Sequence, residues 1–214
     1  MDPKVRDRTK NELDARKSEF LKICSILDDL RLNYFLSTGI LLGAIRDNDL
    51  IKWDWDIEIS TFDTELFPNI DIISTKLQEA NFKVERIVRD KNNMKIDFIG
   101  FYPKEVTGYT IEAFKYSKIR DVYWRKEYSI PSKYLNKLSK INFLGRQFNC
   151  PDHVNEFLTF TYGDWKKPNR TSNKDVYMTK NFKKKTSFFM IYIERLFLKI
   201  NIFAITVKKF IKLK

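Results

Sequence analysis

The chain has 214 residues, 43% of them hydrophobic and 15% aromatic, which is enough to bury a core and excludes a disordered chain. The single histidine, His153, excludes a site built from several imidazoles, and Cys24 and Cys150 lack the close spacing of a zinc site or a disulfide framework. Ten basic residues and one acid between Lys180 and Lys214 supply +9 of the formal net charge of +12, so the remaining body, at +3, argues against a nucleic-acid-binding protein.

The periodicity of apolar residues predicts alternating helices and strands, as in an α/β (α+β) fold. A first helix is expected at residues 7–32, where Phe20 and Ile23 belong to an apolar series at helical spacing. A short buried strand is expected at 34–36, and a short helix at 40–45. The first third of the body is therefore predicted to be helix, strand, corner and helix.

Gly39 and Gly43 bracket the corner between that strand and that helix. Backbone N–H groups at such a corner, next to a helix N-terminus, hold phosphate groups in many proteins. Arg46 adds a guanidinium that can bind phosphate through two parallel hydrogen bonds. The corner therefore predicts a phosphate site, and close packing of the helix is the alternative explanation of the two glycines.

Residues 51–60 alternate between apolar and polar side chains, which predicts a strand. Asp54, Asp56 and Glu58 would then lie on one face, with successive positions about 7 Å apart. Carboxylates this close raise one another's pKa, so the face is either solvated or binds a cation. A small cluster of oxygen ligands suits Mg²⁺ or Mn²⁺, and the solvated outer face of an amphipathic strand is the alternative.

The rest of the body is predicted to add strands and two further helices. Asp97 lies in one of these strands, between two apolar residues. In chain order we expect a helix at 65–81, strands at 82–89, 94–102 and 108–116, an irregular segment at 129–138, a hairpin at 141–148 turned at Gly145, a helix at 152–161 capped by Asp152, and a polar, basic linker at 169–185. The strands at 94–102 and 108–116 are expected to pair.

Two stretches of the chain resemble the LicD/fukutin-related family. Residues 34–46 and 50–58 follow its pattern of Gly-Thr-Leu-Leu-Gly-Ala-x-Arg, a short turn and Ile-Pro-Trp-Asp-x-Asp-x-Asp. Residues 141–165 follow a second block that ends in Tyr-Gly-Asp-Trp. This chain departs from the first pattern at Ile40, which replaces threonine, and at Glu58, which replaces aspartate. The resemblance implies a polymerase-β-like nucleotidyltransferase fold, with a mixed sheet flanked by helices.

The resemblance also implies a function. Family members transfer phosphocholine, or a related phosphorylated alcohol or polyol, from a CDP-linked donor to a hydroxyl of a cell-surface glycan or lipid-linked oligosaccharide, such as lipopolysaccharide or teichoic acid. By position, Asp56 and Glu58 match the acids that bind Mg²⁺ or Mn²⁺. The expected catalytic residues are Asp54, Asp56, Glu58 and Asp97, and the expected donor-binding residues are Thr38, Gly39, Gly43 and Arg46.

We expect a transferase domain at residues 1–180 and a separate tail at 181–214. Glu194, Arg195 and Lys199 interrupt the apolar run of the tail, so a basic amphipathic helix on an anionic membrane surface fits better than a spanning helix. A helix packed on a partner subunit is the alternative. The charged N-terminal residues lack the apolar stretch of a signal peptide, which predicts a cytoplasmic protein bound peripherally to the inner face of the membrane.

Two other functions are compatible with parts of the sequence. Asp54-Trp55-Asp56 is a DxD motif, which occurs in glycosyltransferases that use nucleotide sugars. Such enzymes more often carry a nucleotide-binding α/β domain ahead of the motif, and the single helix predicted there leaves no room for one. A non-enzymatic basic protein that binds membrane or nucleic acid is the other alternative, although no nucleic-acid-binding module is recognisable.

Overall fold

The structure is a computed structural model that describes residues 5–90, 92–102, 105–183, 192–193 and 196. The helices are α1 (Lys10–Asp29), α2 (Thr38–Arg46), α3 (Asp63–Glu79), α4 (Val154–Tyr162) and α5 (Lys174–Tyr177), with a 3₁₀ turn at Ser132–Tyr134. The strands are β1 (Tyr34–Leu36), β2 (Asp56–Phe62), β3 (Lys83–Asp90), β4 (Asn93–Tyr102), β5 (Glu105–Ser117), β6 (Val122–Arg125), β7 (Tyr128–Pro131), β8 (Leu138–Phe143) and β9 (Arg146–Pro151).

The central sheet is mixed, which confirms the predicted fold class. Its strand order is β1-β2-β5-β4-β3, and β6 and β7 extend the end of β5 as an antiparallel ribbon. Strands β2 and β5 run parallel, while the other neighbours in the sheet are antiparallel. The predicted pairing of 94–102 with 108–116 is confirmed as β4 against β5. Strands β8 and β9 form a separate hairpin, which turns at Gly145 as predicted.

The alternation of side chains along β2 separates the core from the site. Ile57 and Ile59 are almost fully buried, and the strand register places Ile111 of β5 beside Ile59. Helices α1 and α3 pack against the sheet and supply further buried apolar side chains. Because successive residues of a strand point to opposite faces, Asp56 and Glu58 lie on the face away from these isoleucines.

The strand predicted at 51–60 begins only at Asp56 and continues to Phe62, so Asp54 does not lie on it. The chain turns before β2, where Asp54 N–H donates to the carbonyl of Ile51 at 3.1 Å. The carboxylate of Asp54 then accepts from Trp55 N–H at 3.0 Å, a local bond that competes with strand pairing. The alternation at 51–55 therefore reflects the packing of a turn.

Three other expectations are corrected. The segment expected to be irregular at 129–138 contains most of β7 and the 3₁₀ turn. The N-cap position of α4 is His153, not Asp152, and its side chain makes no capping hydrogen bond; its φ of 50° is left-handed. The side chain of Asp152 instead accepts from His153 N–H and Ser139 Oγ. The segment expected as a linker at 169–185 contains α5, and Phe182 within it is 1% exposed and packs against Tyr128.

The segment before α1 is also tied to the body. Arg170 Nε donates to the carbonyl of Val5 at 3.1 Å, and its guanidinium pairs with Asp7 at 3.1 Å. Most of the expected amphipathic tail at 181–214 lies outside the described residues, so that helix stays a prediction. Over the described part of the chain, no helix combines the length and apolar character needed to cross a membrane.

Candidate active site

A cavity of about 430 Å³ lies where α2, the turn before β2 and the start of β2 meet the chain that follows α4. Its volume is within the usual range for sites that bind small ligands. Of the expected site residues, the cavity is lined by Thr38, Gly39, Arg46, Asp54, Asp56 and Glu58. The other wall is formed by Trp165 and by residues that the sequence had not assigned to the site, among them Tyr162, Lys174 and Tyr177.

Two acids of this cavity, Asp54 and Asp56, hold protons unusually tightly. Burial raises the pKa of Asp56 to about 8, and the neighbouring charges of Glu58 and Asp54 add to the rise. Burial likewise raises the pKa of Asp54 to about 6, with Glu58 adding to the rise and Arg16 opposing it. Three carboxylates thus share a desolvated space, which favours an additional positive charge among them.

These residues fit a magnesium ion that is completed by a ligand. In the described part of the chain, no group of three or more His, Cys, Asp or Glu side chains is arranged to hold a metal ion alone. Protein-bound Mg²⁺ is usually held by one or two carboxylates together with water and substrate phosphates. Asp56 and Glu58 supply two such carboxylates in the cavity, and a phosphorylated ligand would supply the other oxygens.

Arg16 of α1 positions the start of β2, a role that the sequence reading missed. Its side chain is 3% exposed, and Nη1 and Nη2 donate to the carbonyls of Asp54 and Asp56 at 2.5 and 3.1 Å. The sequence carried a signal for this role, because Arg16 lies at helical spacing between Leu13 and Phe20, on the buried face of α1. An arginine at such a position needs buried acceptors, and here these are the backbone oxygens of the acidic motif.

The corner before α2 leaves one hydroxyl without a partner. Ser37 Oγ is hydrogen-bonded to Ser60 Oγ at 2.6 Å. Thr38 is 5% exposed, has a left-handed φ of 49° and lines the cavity, and its Oγ1 has no hydrogen-bond partner. A strained residue with an unsatisfied hydroxyl at a helix start is typical of a ligand-binding position.

The two glycines of the corner have different neighbours. A Cβ at Gly39 would overlap the carboxylate of Asp54, while a Cβ at Gly43 would overlap the carbonyl of Asp49 and approach Ile51 N to 3.1 Å. Gly43 does not line the cavity. Gly39 therefore makes room for a carboxylate of the site, whereas Gly43 permits close packing of α2 on the turn, which was the alternative explanation.

We expect Gly39→Ala and Gly43→Ala to separate these roles. Gly39→Ala displaces Asp54 in the cavity, so ligand binding should fall about tenfold or more while the melting temperature changes little. Gly43→Ala pushes α2 away from the backbone of the turn at Asp49 and should lower the free energy of unfolding by about 1–3 kcal/mol, as overpacking generally does. Thermal unfolding and nucleotide titration of both variants check this, and equal melting temperatures would contradict it.

Arg46 lines the cavity but is already engaged. Its guanidinium donates to both carboxylate oxygens of Asp47 at 2.8 and 2.7 Å, and its Cζ lies 5.7 Å from the ring centre of Trp53. Arg170 lies over the same ring at 5.8 Å. Any phosphate contact from Arg46 must therefore be made with the donors that Asp47 leaves available.

Asp97 is not brought into the cavity. It pairs in register with Thr110 of β5, and it accepts from Lys95 Nζ and Thr110 Oγ1 at 2.7 and 3.0 Å. A different acid, Glu112 of β5, lies on the strand next to β2 and is 1% exposed. Burial raises the pKa of Glu112 to about 7, its ion pair with Arg125 opposes the rise, and Glu58 adds to it.

The chain after α4 completes the cavity. The rings of Tyr162 and Tyr177 stack with centres 6.2 Å apart. Trp165 is 9% exposed, and its indole N–H donates to Thr159 at 3.2 Å, so it closes the core and lines the cavity at once. Lys174, the first residue of α5, places Nζ 3.9 Å from Glu58 Oε1.

The family model described as LicD/FKTN/FKRP, nucleotidyltransferase domain, matches residues 31–153. The chain is 23% identical over 155 residues to proteins named "Ribitol 5-phosphate transferase FKRP" from mouse (Mus musculus) and human (Homo sapiens); the match covers 66% of this chain and 30% of theirs. Similar solved structures are ANT(2'')-Ia in solution (TM-score 0.44, 13% identity, 65% of this chain and 66% of that chain) and its crystal complex with adenylyl-2''-tobramycin (TM-score 0.45, 14% identity, 64% and 70%).

Proposed function

The chain belongs to the LicD/FKTN/FKRP family of nucleotidyltransferase domains, as its motifs predicted, and we propose that it transfers a phosphorylated alcohol or polyol from a CDP-linked donor to a hydroxyl group of a glycan. Family membership supports a transferase, and the match to the mouse and human ribitol 5-phosphate transferases supports a phosphorylated polyol as the transferred group. The chain spans only about 30% of the length of those relatives, so their substrates enter here as part of the proposal.

One observation carries the proposal. The carboxylates of Asp56 and Glu58 share a 430 Å³ cavity with the α2 corner, where Thr38 offers an unpartnered hydroxyl. Burial and mutual repulsion raise the pKa of Asp56, so a cation is favoured beside it. A nucleotide diphosphate together with a divalent ion matches this combination of acids and phosphate-binding corner.

We assign roles in this reaction to four residues of the cavity, Thr38, Asp54, Asp56 and Glu58. Asp56 and Glu58 would hold Mg²⁺, which when bound supplies positive charge that neutralises the diphosphate. Thr38 Oγ1 and the N–H groups at the start of α2 bind and orient phosphate oxygens. Asp54 lies beside Gly39 in the cavity, and its raised pKa suits a group that accepts the proton of the acceptor hydroxyl.

We propose that the protein acts at a membrane surface. We place the acceptor among cell-surface glycans or lipid-linked oligosaccharides, with phosphocholine as a further candidate for the transferred group. The basic residues of 181–214 would attract anionic lipid at the inner face of the membrane, by about 1 kcal/mol for each basic residue near the surface. Nucleic acid is not among the proposed partners, because the body carries little net charge.

We expect the protein to release CMP from at least one CDP-linked alcohol. Purified protein is incubated with Mg²⁺ and CDP-ribitol, CDP-glycerol or CDP-choline in parallel, with water in place of the glycan hydroxyl as the acceptor of the phosphorylated alcohol, and CMP is measured by chromatography. UDP-glucose and UDP-N-acetylglucosamine serve as the comparison, because UDP release would instead favour a glycosyltransferase. Release should stop when EDTA replaces Mg²⁺, and a protein that binds no cytidine nucleotide and releases no CMP would contradict the proposal.

A further inference from the structure

Lys174 brings a positive charge to the acids of the cavity from a segment outside the family match. Its Nζ lies 3.9 Å from Glu58 Oε1 and 3.4 Å from the hydroxyl of Tyr128. A lysine side chain is ordinarily an ammonium ion at neutral pH, so Lys174 carries its positive charge to Glu58. The carboxylate of Glu58 is only 17% exposed, so water screens this pair less than it screens a surface pair.

The other basic residues that line the cavity in the described part of the chain have different partners. Arg46 is paired with Asp47 at 2.7 Å. Lys167 is 85% exposed and is paired with Asp164 at 2.9 Å. Lys174 therefore stands apart from them, because its partner is one of the two acids that we assign to the divalent ion.

We propose that Lys174 is a ligand of the donor's diphosphate, and that it leaves Glu58 for a phosphate oxygen when donor and divalent ion bind together. The inference rests on the proposed function. A lysine is suited to such an exchange, because its ammonium is a compact charge with three donors on a flexible four-carbon stem. The exchange keeps the charges of the cavity balanced, since Glu58 gains a cation as Lys174 gains an anion.

Because of this exchange, Lys174→Gln should change the affinities for nucleotide diphosphate and for the divalent ion in opposite directions. Loss of a charge-assisted hydrogen bond should weaken nucleotide diphosphate binding about tenfold or more. Without nucleotide, removal of the ammonium should strengthen divalent-ion binding several-fold, because Lys174 no longer competes for Glu58. A purely structural role for Lys174 would weaken both or change neither.

The test compares wild type, Lys174→Gln, Lys174→Arg and Lys166→Gln. Lys166 is exposed, does not line the cavity, and its substitution makes the same change in net charge. CDP binding in excess Mg²⁺ is measured by calorimetry, and Mn²⁺ binding without nucleotide by electron paramagnetic resonance. We expect Lys174→Gln alone to lose CDP affinity and gain Mn²⁺ affinity, and Lys174→Arg, which keeps the charge, to bind CDP within about threefold of wild type.

The outcomes separate the two proposals. Wild-type protein that binds neither CDP nor Mn²⁺ overturns the proposed function. Wild type that binds both, with Lys174→Gln equal to Lys166→Gln, overturns only the role of Lys174. If Lys174→Gln loses affinity for both CDP and Mn²⁺, that role is also overturned, whether or not Lys174→Arg restores the two affinities. Circular dichroism shows whether Lys174→Gln is folded. If it is misfolded, Lys174→Arg is used instead, and a CDP affinity of Lys174→Arg more than tenfold below that of wild type overturns the role.

Discussion

Replacing Asp56 with asparagine is expected to lower CMP release about 10³-fold or more and, without metal, to make the protein more stable. The asparagine would keep the shape of the side chain but lose the charge that binds the divalent ion. Metal-ion catalysis supplies several kcal/mol of transition-state stabilisation, and about 4 kcal/mol corresponds to a 10³-fold change in rate. Activity and stability therefore change in opposite directions.

The stability gain has a defined dependence on pH. Burial, with help from Glu58 and Asp54, raises the pKa of Asp56 from 3.8 to about 8, so the folded protein binds this proton more tightly than the unfolded chain. The contribution of Asp56 to the free energy of unfolding of the wild type therefore falls as pH rises from about 4 to above 8. Asparagine does not titrate, so the difference between variant and wild type should be near zero at pH 4 and largest above pH 8.

Thermal and urea unfolding in EDTA, from pH 4 to pH 9, measure this difference. One pKa unit corresponds to about 1.4 kcal/mol. Because Asp56 is partly exposed to water in the cavity, we expect a gain of only about 1–3 kcal/mol at pH 8. Mg²⁺ with CDP should stabilise the wild type and leave the variant unchanged. A variant that turns over a CDP donor at near wild-type rate would show that Asp56 is not a metal ligand.

Replacing Arg16 with methionine is expected to lower the free energy of unfolding by about 2–4 kcal/mol and to lower CMP release about 10²-fold. The substitution removes the donors that bind the carbonyls of Asp54 and Asp56, and an unsatisfied buried acceptor costs about 1–3 kcal/mol. The start of β2 then loses its anchor, and a displacement of about 1 Å in reacting groups lowers rates about 10²-fold.

Urea unfolding and initial-rate kinetics check both effects of Arg16→Met. Arg16→Lys is the matched comparison, because it keeps the charge but cannot hold two carbonyls with one planar group. We expect it to recover less than half of the lost stability. If Arg16→Met unfolds at the same urea concentration as wild type, Arg16 does not anchor β2.

Sequence patterns that span only a few residues correctly predicted the local secondary structure. Strand β1 occupies the residues expected, the hairpin turns at Gly145, and β4 pairs with β5, because apolar periodicity and turn residues act over short range. The alternation at 51–55 led to a wrong prediction of a strand, because a turn stabilised by Asp54 shows the same alternation of apolar and polar side chains. Period-two alternation identifies buried and exposed positions but not the hydrogen bonds of the backbone.

The site was predictable only where it lies within the motifs. Residues at 38–58 share the cavity because they are close in sequence, and their catalytic and binding roles stay predictions. Arg16 binds the backbone of the acidic motif, and Lys174 lines the cavity, each from 38 or more residues away, so their partners depend on how α1 and α5 pack. Asp97 and Glu112 each lie between two apolar residues, so the strand order and register are needed to distinguish their surroundings.

The hydrogen bonds from Arg170 to Val5 and Asp7 fasten the segment before α1 to the segment before α5. Arg170 also lies over the ring of Trp53, which lines the cavity, so one guanidinium ties the segment before α1 to the cavity wall. Removal of that segment would therefore loosen the wall, although none of its residues lines the cavity.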